Sequence, residues 1–238
     1  MSNAGIVIVK IDGRKVKGRH HPNGGGFVAL TAQVAETAYV GRNAKVFGNA
    51  VISGNAKVHD KAKVHGGAQI FGNAEIYGSA RILGNVHVYD EAKVFGKAEL
   101  SGNVVIYSNA RIYGEAWVYD RAEIYGAVNV YGSVRVFGDT KVSGNVRIYD
   151  KAQVYGETRI SDEVKLYGNA QFYGCAEACG TAEIYDNARV YAGAWINGNA
   201  RVYEKAQVCG SAQILGGTKV RGKVRVAEGI HRDVEITQ

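Results

Sequence analysis

The residues with chemistry to offer are few. His59, His65 and His87 are the histidines of the regular part of the chain. An imidazole can serve as a general base, and three together can hold zinc. Their spacings of 6 and 22 residues fit no zinc-ligand pattern, so no metal site is expected. His20 and His21 stand beside Arg19 in what reads as a solvated loop. Cys175, Cys179 and Cys209 are odd in number and lack disulfide-framework spacing, which reads as reduced thiols of a cytoplasmic protein. Asp60, Asp90, Asp120 and Asp150 recur at turn-like positions and are expected to satisfy turn amides. No nucleophile triad, phosphate loop or paired-carboxylate motif accompanies them.

What must position these groups is a six-residue beat. Val, Ile or Leu stands at every sixth position from Val28 to Val226, with Phe172 and Ala178 the departures. Four residues after each, from Ala32 to Val224, stands Ala, Val or Thr. A period of six matches no helix. Triplets such as Lys45-Val46-Phe47 and Glu75-Ile76-Tyr77 have strand chemistry. The Gly-Asn-Ala and Asp-Lys-Ala segments between them supply residues that tolerate a left-handed corner. Each hexad is therefore a short strand plus a corner. The middle aliphatic points inward and its two neighbours point outward.

Aliphatic at one position, a small residue four later and Gly or Asn at the corner resemble the hexapeptide repeat of left-handed β-helices. The Gly-Asn-Ala-x-Val-Tyr idiom, with Gly25-Gly26-Phe27-Val28 before it, is most similar to the YdcK-type repeat proteins of bacteria, which are labelled transferases largely by fold. The resemblance implies an all-β, left-handed parallel β-helix, a triangular solenoid of 18 residues per coil and about 11 coils over Val28–Val226. At strand spacing that is a prism on the order of 50 Å long.

Residues 18 apart then share a column. One face carries Tyr77, Phe95, Tyr113, Tyr131, Tyr149, Tyr167, Tyr185 and Tyr203, beside Arg111, Arg147 and Lys165 two residues earlier in their hexads. The candidate binding strip is Tyr113, Tyr131, Tyr149 and Tyr167 with Arg111, Arg147 and Lys165. There aromatic faces could stack on bases or sugars while cations meet phosphate or carboxylate. The same column could instead be a ladder that stabilises the stack. A second face carries Tyr119, Phe137, Tyr155, Tyr173 and Tyr191, as a structural ladder would predict. The remaining face offers Val105 and Tyr107, with Tyr89 and Tyr125, as a candidate subunit contact.

The net charge of +7 suits an anionic polymer, nucleic acid or glycan as partner. No apolar run approaches a membrane span, and no membrane partner is expected. Ile6–Ile11 is broken by Lys10 and does not read as a signal segment. Asp12-Gly13 between strand-like runs signals a hairpin, so residues 1–27 read as a hairpin and loop capping one end, 28–226 as the β-helix and 227–238 as a short charged tail. The expected function is a non-catalytic scaffold or binding module, homo-oligomeric, with no cofactor. The alternative implied by the resemblance is an acyltransferase using acyl-coenzyme A at an intersubunit site, with His59 or His65 as base. The repeat carries no protruding loop of the kind those enzymes use.

Overall fold

The computed structural model describes residues 5–237. Met1–Ala4 of the expected cap and Gln238 of the expected tail lie outside the described residues. Among those described there is no helix, hence none long and apolar enough to cross a membrane.

The hexads fold as three parallel sheets that run the length of a solenoid. The first face begins at Phe27–Ala29, the second at Gln33–Val34 and the third at Tyr39–Val40. Register confirms the 18-residue coil: Lys45 and Val46 pair with Lys63 and Val64. Backbone amides bond to the coil ahead, as from Phe47 N–H to Val64 O at 3.0 Å. The parallel β-helix is therefore a direct consequence of the beat.

Inside, the aliphatic and small residues of each hexad form one continuous core, nearly all of it fully buried. Where Phe172 enlarges one side of a coil, Ala178 shrinks the next, and both are buried. The pair conserves volume within a layer, which a close-packed core requires. Thr140 and Thr158 stand at small inward positions. Their hydroxyls lie 3.1 Å apart, and Thr140 donates to Phe137 O at 2.9 Å, so both are satisfied.

Corners need positive φ. Gly114 shows why glycine dominates them: φ is +76°, and a Cβ would lie 2.7 Å from Gly132 N in the next coil. Asp60, Asp90, Asp120 and Asp150 also adopt φ between 57° and 63°. Each carboxylate accepts the amide one coil ahead, at 3.0 Å from Gly78, 3.1 Å from Ser108, 3.2 Å from Gly138 and 3.1 Å from Gly168. Asp162, Asp186 and Glu204 do the same for Gly180, Glu204 and Gly222. These three lie outside the set Asp60, Asp90, Asp120 and Asp150 read from the sequence, so the device is a property of the corner.

At the N-terminal end β1 (Val7–Ile11) and β2 (Arg14–His20) form an antiparallel hairpin over Asp12-Gly13. Then β2 pairs antiparallel with β3 (Phe27–Ala29), covering the first edge of the first face. The expected solvated loop is corrected here. His20 ends β2, with Nδ1 2.9 Å from Gly25 O. His21 is only 4% exposed, with Nδ1 3.1 Å from Asn23 O.

At the other end the solenoid outlasts the beat. Ile230–Arg232 and Glu235–Ile236 pair parallel with Gln213–Leu215 and Lys219–Val220. Two faces thus have 12 strands each, one more coil than the hexads predict. The register offset shrinks from 18 to 17 (Gln213 with Ile230) and then 16 (Lys219 with Glu235). Shortened corners carry Gly229 at φ 86° and Asp233 at φ 54°.

Candidate functional site

The third face is the most regular surface of the molecule. Its strands place one side chain outward before each buried aliphatic and one after it. The column after the aliphatic is unbroken from His59 through Tyr77, Phe95, Tyr113, Tyr131, Tyr149, Tyr167 and Tyr185 to Tyr203. Ring centroids are 4.7–5.1 Å apart and planes within 7° of parallel. This spacing is the coil rise, so strand pairing dictates the stack.

Stacking decides what the column can do. Both faces of every interior ring are covered by neighbouring rings, so no base or sugar ring can lie on Tyr113, Tyr131, Tyr149 or Tyr167. What faces outward is a row of ring edges and hydroxyls. Burial raises the phenols of Tyr113, Tyr149 and Tyr167. Tyr167 is pushed up to about 12, first by burial and then by the Glu183 carboxylate. The hydroxyls are neutral donors at physiological pH.

The column before the aliphatic holds the charges. Lys93 Nζ sits 3.0 Å from Glu75 Oε2. Lys165 Nζ sits 2.8 Å from Glu183 Oε1, whose other oxygen lies 3.6 Å from Arg201 Nε. Between those clusters stand Arg111, Asn129 and Arg147 in consecutive coils. Among the described residues neither arginine has a carboxylate within ion-pair distance, and both are exposed. Asn129 donates to Ala127 O at 2.9 Å. A shallow depression of about 560 Å³, lined by Asn129, Asn145, Arg147, Glu163 and Lys165, opens beside this stretch. The strip read from the sequence thus narrows: Arg111 and Arg147 keep free charge, and Lys165 is already paired.

His59 is the first rung of the ladder, stacked 5.1 Å from Tyr77. Its Nε2 lies 3.1 Å from Glu75 Oε1 and its Nδ1 3.3 Å from Asp60 Oδ1. Both nitrogens meet carboxylates, so neither offers a free lone pair to a substrate. Burial would raise Glu75, but hydrogen bonds from Lys93 and His59 together hold it below the usual value. An open depression of about 460 Å³ lies at this corner, lined among others by Tyr39, Arg42, Lys57 and His59.

His65 is on the first face, stacked 4.6 Å from Phe47. Burial, then the Arg81 charge, lowers its pKa, which keeps the ring neutral. His87 stands on the second face between Gln69 and Val105. The three histidines occupy three faces and do not converge.

On the second face Phe71, Tyr89, Tyr107 and Tyr125 form a shorter ladder with centroids 4.8–5.0 Å apart. Tyr107 donates to Glu123 Oε1 at 3.1 Å. Val105 is half-buried beside them.

Residues 182–198 match the family model described as YdcK Beta solenoid repeat. The matched stretch spans the strands Glu183–Ile184, Arg189–Val190 and Trp195–Ile196, one from each face. No curated protein matches the chain.

Proposed function

We propose that this β-solenoid repeat protein is a hexapeptide-repeat scaffold that binds an acidic polymer along its third face, without catalysing a reaction. The observation that supports this is the pair of unneutralised guanidiniums, Arg111 and Arg147, in a column where Lys93, Lys165 and Arg201 are matched by acids. Two coils separate them, about 9.6 Å at strand spacing. That span suits successive sulfate, phosphate or carboxylate groups on one extended chain. The adjoining phenols add hydroxyl donors without adding charge. A rigid stack holds all of these groups before the ligand arrives, which limits the ordering entropy lost on binding.

The acyltransferase alternative draws no support from His59, whose two nitrogens are engaged by Asp60 and Glu75. Self-association stays a proposal for the Val105, Tyr107, Tyr89 and Tyr125 surface. The direct test is binding of a defined-length heparin fragment, as a soluble polyanion, to the wild type and to Arg111→Glu. Saturable, salt-sensitive binding weakened by the substitution supports the reading. Binding indifferent to Arg111 refutes it.

A further inference from the structure

The third-face ladder is closed, but the first face lacks a rung. Its column after the aliphatic reads Phe47, His65, Leu83, Ser101, Tyr119 and Phe137. Tyr119 is covered on one side by Phe137, with centroids 4.7 Å apart and planes 5° from parallel. Its other side looks onto Ser101, whose side chain is too short to cover it. Leu83 stands one coil further, about 9.6 Å from Tyr119 at strand spacing. One ring is missing between an aromatic wall and an aliphatic one.

An unusual side chain stands beside this gap. Trp117 occupies the column before the aliphatic and is 50% exposed. The Arg135 guanidinium lies over its indole, 5.6 Å from the ring centroid. On the opposite side, Glu99 is its register neighbour. Glu99, Ser101, Trp117, Tyr119 and Arg135 together line an open depression of about 310 Å³, near the lower size limit of ligand sites. The ladder ends at Tyr125 and Tyr191 have no such companion: beyond them come Ser143 and Cys209, with Lys141 and Gln207 in the neighbouring column.

We propose that this gap is a saccharide subsite, in which a neutral pyranose ring takes the place of the missing rung. A pyranose is a ring with apolar C–H faces and a polar equator. Centred on the missing rung, it would sit about 4.8 Å from Tyr119 on one side and Leu83 on the other, the natural spacing of the stack. Its hydroxyls would then meet the Glu99 carboxylate and the Ser101 hydroxyl, beside the exposed Trp117 indole. Ser101 makes no side-chain hydrogen bond among the described residues, so it is free to bond a ligand.

The charged groups around the gap are already engaged. Glu99 Oε2 is already 3.4 Å from Arg81 NH1, and Arg135 is held on the indole. A neutral ligand leaves both of these contacts in place. This subsite is on a different face from Arg111 and Arg147 and stands whether or not an acidic polymer binds there.

The test uses the full-length chain in a Trp195→Phe background, so that Trp117 reports alone. Tryptophan emission and saturation-transfer NMR are followed against the methyl glycosides of glucose, galactose, mannose and N-acetylglucosamine. At least one glycoside is expected to give a saturable response. Ser101→Tyr, which completes the ladder, is expected to abolish it while keeping or raising the melting temperature. Should that variant fold poorly, Trp117→Ala at an exposed position is expected to lose the NMR response. Arg111→Glu with Arg147→Glu is expected to leave glycoside binding unchanged. The proposal is overturned if no glycoside gives a saturable response, if Ser101→Tyr binds as the wild type does, or if para-cresol outcompetes every glycoside.

Discussion

Tyr149 and Tyr167 stack with ring centroids 4.8 Å apart and planes 2° from parallel, and Tyr131 covers the other face of Tyr149 at 5.1 Å. An interior rung therefore makes two aromatic contacts. Tyr203, which follows Tyr185 and precedes Arg221, makes one. Aromatic pairs contribute about 0.5–1.5 kcal/mol each beyond burial. Tyr149→Ala is expected to destabilise by about 1–3 kcal/mol in urea unfolding, Tyr203→Ala by about half that, and Tyr149→Phe by little. Equal effects at the interior and terminal rungs would show that stacking is not what stabilises the column.

The ladder also sets an alkaline limit. Tyr107 and Tyr167 are each pushed up to about 12, burial being the first cause. For Tyr107 the hydrogen bond to Glu123 adds to it. The folded state holds these protons more tightly than the unfolded chain, whose phenols titrate near 10.0. Their contribution to stability is thus complete below pH 10 and is lost as pH rises toward about 12. Tyrosinate absorbance of the native protein should lag that of the denatured chain. Coincident titrations would contradict the burial described.

Corner chemistry is separable from side-chain packing. Gly114→Ala places a Cβ at φ +76°, 2.7 Å from Gly132 N. The left-handed backbone alone costs about 1–2 kcal/mol. Asp120→Asn keeps a residue that tolerates φ 63° and an oxygen to accept from Gly138 N–H, so it should be nearly silent. Thermal unfolding of the two variants distinguishes them. A silent Gly114→Ala would mean the corner relaxes freely.

The hairpin protects an edge. Deleting residues 1–24 removes β1 and β2 and bares the edge of Phe27–Ala29, whose neighbours would then be open to another chain. Light scattering should show concentration-dependent association of the truncated protein. Unchanged solubility would remove the capping role.

Much of this architecture was legible because one period governs it. Any residue 18 from another shares its column, so the inward set, the three faces and the aromatic columns follow from counting. The hairpin was readable from Asp12-Gly13. The last coil was hidden because Ile230 and Glu235 have slipped one and two residues off the beat. The environment of His59 was hidden for a related reason. Its partner Glu75 is 16 residues away, in a different column, and only side-chain direction joins them. The sequence placed Tyr131 between Tyr113 and Tyr149, but the ring planes reveal that its faces are closed. Likewise Lys165 counted as a free cation until Glu183 was seen 2.8 Å away.

The measurement that bears most directly on the acidic-ligand reading is calorimetric titration of a heparin fragment into four proteins of matched concentration and salt. These are the wild type, Arg111→Glu with Arg147→Glu, Lys165→Glu, and a charge-matched control on the first face, Lys45→Glu with Arg189→Glu. The third-face pair is expected to weaken binding by about tenfold or more, some 1.4 kcal/mol. Lys165→Glu should have less effect, and the first-face control least of all. Equal losses in the two double variants would mean that net charge alone drives binding and that Arg111 and Arg147 form no site.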